Sequence, residues 1–202
     1  MTTTVGRKAP DFTASAVLAN GNIVNDFNLH KAISEHQATI LFFYPLDFTF
    51  VCPSELIALN NRIQEFEKRN AQLIAISIDS QFAHHAWRNT PVEQGGIGAV
   101  RYPMVADVNH HICQSFGVEH PTAHVALRAA FIIDKTGVVR SEIVNDLPLG
   151  RNVDEILRII DALEFHEKHG EVCPAGWVKG KTAIKPTKEG IAKFLAAESN
   201  QL

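Results

Sequence analysis

Cys52 stands in Pro45-Leu-Asp-Phe-Thr-Phe-Val-Cys-Pro53-Ser-Glu55, between a β-branched and aromatic run, Thr39–Tyr44, and a stretch with helical apolar spacing. A proline directly after the cysteine suits a first helical turn and puts Cys52 at or beside the N-cap. Unpaired N–H groups and the helix dipole there favour an anion, so the thiol is placed to ionise and act as a nucleophile. A helix terminus supplies typically 0.3–1 kcal/mol and at most about 2, whereas making an ordinary thiol mostly thiolate at neutral pH takes roughly 2.7. A second group is therefore needed. Arg128 is the candidate, because an arginine entering the apolar run Ala129–Ile133 is costly unless it meets an anion. Thr49, three residues before Cys52, can offer a hydroxyl proton to the sulfur or to an oxygen bound beside it.

Three cysteines in 202 residues are too few for a disulfide framework, and their odd number leaves at least one thiol free, reactive or paired between chains. No two have C-x-x-C spacing, so neither a structural zinc site nor a local redox dithiol is expected. Three residues after Cys52 stands Glu55, so an oxidised Cys52 must find its partner elsewhere. Cys173, far along the chain in an irregular stretch, is attractive, and the pairing could be made within one chain or between two. Cys113, in His111-Ile-Cys-Gln-Ser-Phe116, has no motif and no cationic neighbour, and reads as a packed helix residue. The histidine pairs His84-His85, His110-His111, His120/His124 and His166/His169 lack an H-E-x-x-H pattern or cysteine pairs. They are expected to be solvated or hydrogen-bonded, with no metal bound.

The elements that must hold these residues read as an α/β sheet. Thr39–Tyr44 and Leu73–Ile78 have the look of strands buried on both faces, and the apolar positions Leu56, Leu59, Ile63 and Phe66 predict one helix from Pro53 to about Arg69 between them. Gln81 to about Gln94 is predicted helical, followed by a turned loop at Gly95-Gly-Ile-Gly98. Ala129–Ile133 and Val138–Val144 form a predicted hairpin across Asp134-Lys-Thr-Gly137. Asn152 starts a helix striped by Val153, Ile156, Leu157, Ile160 and Leu163, which Gly170 stops. Prolines and glycines then interrupt the chain before a short apolar helix around Ile191–Ala197, so 1–170 reads as one domain and 171–202 as an arm that needs a surface to lie on.

Composition bounds the function. A chain with 46% apolar and 20% charged residues is globular, and a net charge of −3 without basic runs gives no pull on nucleic acid or anionic lipid. The apolar runs hold about six residues where a membrane span needs roughly 20. Met-Thr-Thr-Thr-Val-Gly-Arg-Lys at the start has no apolar stretch, so no secretory signal is expected and a cytoplasmic home is the default.

Pro45-x-x-x-Thr49-x-x-Cys52, with Pro53-Ser54-Glu55 after it and Val172-Cys173-Pro-Ala-Gly-Trp177 near the end, resembles a two-cysteine peroxiredoxin of the alkyl hydroperoxide reductase or thioredoxin peroxidase type over nearly the whole chain. The resemblance implies a thioredoxin-like fold, a central mixed β-sheet flanked by helices with a C-terminal arm. It implies that Cys52 is the peroxidatic cysteine, that Pro45, Thr49 and Arg128 shape the peroxide pocket, and that Cys173 of the partner subunit resolves the sulfenic acid. Glu55 and Arg151 match the family's supporting ion pair, and Trp87 and Gly150 match residues of relatives. The implied reaction reduces hydrogen peroxide and organic hydroperoxides without cofactor, is reset by thioredoxin or a dedicated flavoprotein or dithiol reductase, and runs in a homodimer assembled into a decamer. Gly95-Gly-Ile-Gly98 meets one half of the signature of easily over-oxidised relatives; the ending Ile191-Ala-Lys-Phe194-Leu lacks the Tyr-Phe half, so intermediate resistance is expected. Rival readings are a holdase, which would survive Cys52→Ser, and a dithiol–disulfide oxidoreductase, which Glu55 in place of a second cysteine disfavours.

Overall fold

Seven strands form one mixed sheet: β1 (Thr13–Val17), β2 (Ile23–Asn28), β3 (Ala38–Phe43), β4 (Ala71–Ser77), β5 (Met104–Ala106), β6 (Arg128–Asp134) and β7 (Val139–Asn145), in the order β2-β1-β5-β4-β3-β6-β7. The computed structural model describes residues 3–201 and divides into two compact units, Met1–Val153 and Asp154–Leu202. The helices are α1 (Leu29–Ser34), α2 (Cys52–Asn61), α3 (Ile63–Glu67), α4 (Gln81–Asn89), α5 (His111–Ser115), α6 (Val153–His169) and α7 (Lys188–Glu198). The β3–β4 and β4–β5 pairs are parallel and the rest antiparallel. This is the thioredoxin-like α/β architecture that the motifs imply.

Every position of β3 is buried, and so is every position of β6. Leu41 and Phe43 of β3 join Ile74 and Ile76 of β4 and Phe131 and Ile133 of β6 in one core, where the rings of Phe43, Phe116 and Phe131 lie 5.0–5.6 Å apart. Each such ring contributes about 1.5–3 kcal/mol by leaving water. The core thus fixes how β3 and β6 pair, with Phe43 opposite Ala129. Residues that follow β3 are thereby brought to the sheet end where β6 begins with Arg128.

Two predicted helices are shorter than their periodicity. The Pro53–Arg69 stretch breaks at Arg62 into α2 and α3. Asn60 and Asn61 precede the break, and asparagine competes with the helix for backbone groups; the Asn60 Oδ1 accepts the N–H of Arg101 at 2.9 Å, while the Arg62 guanidinium turns to Glu65. Likewise α4 ends at Asn89 and not near Gln94, because Pro91 drives Thr90 out of the helical region, to φ −80 and ψ 130. Val92–Gln94 is only a 3₁₀ turn. The β1–β2 hairpin, α1 and β5 carry no pattern strong enough to have been predicted, whereas α5 is the short helix expected around Cys113.

In the second unit α6 ends where Gly170 takes φ +66. Its Ile156, Leu157 and Ile160 are buried, with Val153 and Leu163 half-buried. The arm is tied by paired hydrogen bonds between Val172 and Ile184, both 2.9 Å, and by Trp177, whose ring lies 5.0 Å from that of Phe165 and whose Nε1 donates to Lys181 O. Helix α7 runs a little beyond the predicted Ile191–Ala197, capped by Thr187, whose hydroxyl accepts from the Gly190 N–H at 3.0 Å. Among the described residues no helix is long and apolar enough to cross a membrane.

Candidate active site

Cys52 is the first residue of α2, with Val51 as N-cap and Pro53 in the first turn, and its side chain is fully buried. Arg128 reaches it from the start of β6. One guanidinium nitrogen, Nη1, lies 3.3 Å from the Cys52 Sγ and 2.8 Å from the Glu55 Oε2, while Nε donates to Leu147 O at 2.5 Å. Glu55 sits one turn along α2, so its carboxylate and the thiol occupy the same end of the helix.

Alone, Glu55 would cancel the positive charge that Arg128 offers the sulfur. Arg151 restores it. Its Nε and backbone N–H donate to the Glu55 Oε1 at 2.9 and 2.8 Å and its Nη2 to Oε2 at 3.1 Å, while Nη1 donates to Phe43 O and Ala129 O, both at 2.7 Å. The guanidinium also lies over the Phe42 ring, 3.3 Å from its centroid. Two guanidiniums and one carboxylate leave a net charge of +1 beside the buried sulfur. At an effective dielectric of about 20, one charge at 4 Å is worth about 4 kcal/mol, more than the helix start supplies. Burial works against the Glu55 carboxylate, but the Arg151 hydrogen bonds, helped by Arg128, outweigh it and hold the group below the usual carboxylate range. Burial also pulls Arg151 down, and its bonds to Glu55 offset much of that.

The loop between β3 and α2 carries the other predicted residues. Pro45 is buried and Thr49 half-buried. The Thr49 hydroxyl donates to Leu46 O at 2.9 Å, so its proton is engaged within the loop. With that proton committed, Oγ1 presents lone pairs and is an acceptor.

Beneath this loop lies a polar network that sequence reasoning missed. The Tyr44 hydroxyl donates to Asp47 Oδ1 at 2.7 Å, His84 Nδ1 is 2.8 Å from Asp47 Oδ2, and the Asp47 N–H donates to Asp79 Oδ2 at 2.8 Å. Ser77 Oγ donates to the same Asp79 oxygen at 2.7 Å, and His84 Nε2 lies 3.2 Å from Val105 O. These bonds pin the loop to β4, α4 and β5. Burial pushes the Asp47 carboxyl up and, aided by Asp47, the Tyr44 hydroxyl well up. An aspartate within an otherwise apolar stretch, Pro45-Leu-Asp-Phe, was the available signal. Trp87 packs against Phe48 and Tyr44, with centroids 5.8 and 6.1 Å away, and donates from Nε1 to Gly95 O at 2.8 Å. A Cβ at Gly150 would meet Val51 and Glu55 at ordinary contact distance, 3.5–3.9 Å.

All three cysteines are unpaired. Cys173 belongs to the second unit, where its half-buried thiol donates to Ala162 O at 3.6 Å; burial pushes the thiol up and Arg158 counters it. Cys113 is buried in α5 and in the core, as expected of a packed residue, and burial with Asp107 pushes its thiol far up.

This arrangement provides a buried sulfur in a cationic, water-poor setting, approached by the Arg128 guanidinium. Residues 5–142 match the model of the AhpC/TSA family, and residues 162–197 match that of the C-terminal domain of 1-Cys peroxiredoxin. Alkyl hydroperoxide reductase C of Buchnera aphidicola subsp. Baizongia pistaciae is 57% identical over 187 residues, covering 93% of this chain and 94% of that protein. The thioredoxin peroxidase of Echinococcus granulosus is 47% identical over 197 residues, 98% of this chain and all of that one. The crystal structure of reduced 2-Cys peroxiredoxin from Plasmodium vivax has a TM-score of 0.92 at 46% identity, covering 96% of this chain and 100% of the other.

Proposed function

Since the chain belongs to the AhpC/TSA family and is a peroxiredoxin, an oxidoreductase that reduces hydroperoxides, we propose that Cys52 is its peroxidatic residue and Cys173 of the partner subunit its resolving one. The observation that carries this reading is the 3.3 Å approach of Arg128 to the Cys52 sulfur within a cluster of net charge +1. The Cys52 thiolate attacks the terminal oxygen of ROOH, the O–O bond breaks, and RO⁻ takes a proton to leave as water or an alcohol. Arg128 and the N–H groups of the first turn of α2 stabilise the charge that grows on the departing oxygen. Thr49 Oγ1 accepts a hydrogen bond from the hydroperoxide O–H, whose hydrogen stays on the oxygen transferred to sulfur, and so orients the substrate; the proton that RO⁻ takes comes from solvent, and Pro45 walls the pocket.

The product, a Cys52 sulfenic acid, is as buried as the thiol was, so the first turn of α2 must unwind before a second sulfur arrives. Attack by the Cys173 thiolate forms the disulfide and releases water, and an external dithiol reductase, thioredoxin or a dedicated flavoprotein system, returns both thiols. The edge position of β7 in the sheet supports a homodimer formed along that strand, which the proposal extends to a decamer. The division into a peroxidase domain, 1–170, and an arm carrying the resolving cysteine, 171–202, belongs to the same proposal.

The test is one equivalent of hydrogen peroxide added to reduced protein, followed by a non-reducing gel and peptide mapping. A dimer band that yields a Cys52–Cys173 peptide is expected. A band linked through Cys113, or monomer alone with Cys52 oxidised, overturns the pairing.

A further inference from the structure

Outside the residues assigned to peroxide chemistry, His110, Cys113 and Glu119 bring an imidazole nitrogen, a thiol sulfur and a carboxylate oxygen within 4.8 Å of one another. Three local features produce that convergence. His110 precedes α5 with φ +63, a conformation uncommon for a residue with a side chain, and its Nδ1 lies 2.7 Å from the Glu119 Oε1. Asp107 accepts the N–H groups of Ile112 and Cys113 at 2.9 and 2.7 Å and so fixes the turn that carries the thiol. Gln114 Nε2 donates to the other Glu119 oxygen at 3.0 Å and sets the plane of the carboxylate. The Cys113 thiol itself donates to His110 O at 3.2 Å.

We propose that His110, Cys113 and Glu119 form a binding site for one divalent transition-metal ion of the zinc class, with a water molecule as fourth ligand. A sulfur, nitrogen and oxygen donor set selects such ions over magnesium and calcium, which take oxygen ligands. Bonds of about 2.0–2.3 Å in tetrahedral array put neighbouring ligand atoms roughly 3.3–3.7 Å apart, so the His110 nitrogen and Glu119 oxygen, 2.7 Å apart, must open to admit the ion while the Cys113 sulfur, within 4.8 Å of both, moves in to meet it. Asp107 and Gln114 already supply the outer hydrogen bonds that orient metal ligands. On binding, the ion displaces the hydrogen bond between His110 and Glu119, a metal–sulfur bond replaces the sulfur–hydrogen bond of Cys113, and the thiol proton goes to solvent with no change of oxidation state. A dication with one thiolate and one carboxylate is a neutral shell, which suits this half-buried position. The site is independent of the peroxidase assignment and joins the start of α5 to the segment at Glu119, which bridges Ala126.

The test uses the reduced full-length chain carrying Cys52→Ser and Cys173→Ser, which leaves Cys113 as the one thiol. Cobalt(II) titrated into it is expected to raise a sulfur-to-metal charge-transfer band that saturates at one equivalent and that equimolar zinc bleaches. Adding Cys113→Ser should abolish the band, and Glu119→Gln, at a half-buried position, should weaken cobalt binding tenfold or more while far-ultraviolet dichroism stays unchanged. No charge-transfer band, or a band whose affinity is the same in the Glu119→Gln protein, overturns the proposal.

Discussion

Replacing Arg128 by methionine removes the cation that touches the Cys52 sulfur while keeping an unbranched apolar stem. In the structure Arg128 Nη1 is shared between Cys52 Sγ and Glu55 Oε2, so the substitution deletes an N–H bond to a charged acceptor and lowers the charge of the cluster from +1 to zero. A hydrogen bond to a charged group is worth roughly 1.5–3 kcal/mol, which at 1.4 kcal/mol per tenfold predicts peroxide consumption slower by about 10- to 150-fold. The assay is stopped-flow mixing of reduced protein with a pseudo-first-order excess of hydrogen peroxide, read by tryptophan fluorescence, since Trp87 packs on the loop that carries Thr49. Arg128→Lys keeps the charge but cannot reach Cys52, Glu55 and Leu147 O together, and should fall between the two. A folded Arg128→Met protein that consumes peroxide within twofold of the parent rate would refute the assignment of charge stabilisation to this residue.

Glu55→Gln leaves two buried guanidiniums facing a neutral amide and should lower the unfolding free energy by about 3–5 kcal/mol, read as an earlier urea midpoint. Because the folded Glu55 carboxyl is held below its usual range, its contribution is complete above the ordinary carboxylate range and disappears as pH falls through the folded value; the gap between parent and Glu55→Gln should therefore close in acid. Gly96→Ala would put a Cβ 1.8 Å from Thr90 O, so the loop must shift; a loss of roughly 1–3 kcal/mol and a changed Trp87 emission as its bond to Gly95 O breaks are expected. Cys173→Ser should leave the first, peroxide-dependent fluorescence phase within twofold of the parent and abolish the disulfide-linked dimer on a non-reducing gel.

Much of the site was legible in the chain because its core is local. Cys52, Pro53 and Glu55 fall on one helical turn, so their chemistry can be read from spacing, and Arg128 was conspicuous as a charge at the mouth of an apolar strand. Thr49 could be placed on the loop from its spacing to Cys52, whereas the direction of its hydroxyl depends on which carbonyl comes near, here that of Leu46. Arg151 was legible only through the family motif. Nothing in its neighbours distinguishes it from a surface residue, yet its side chain is 1% exposed.

Local patterning, then, determined the buried strands β3 and β6, the helix that starts at Cys52, the stop at Gly170 and the nucleophile itself, because each follows from side-chain periodicity or from the dihedral limits of proline and glycine. The break at Arg62, the Asp47–His84–Asp79 support, the bonds of Arg151 to Phe43 O and Ala129 O and the meeting of His110, Cys113 and Glu119 came only from the tertiary structure. Those features rest on sheet register and on contacts across many residues, and a buried ion pair or hydrogen bond has no periodic trace along the chain.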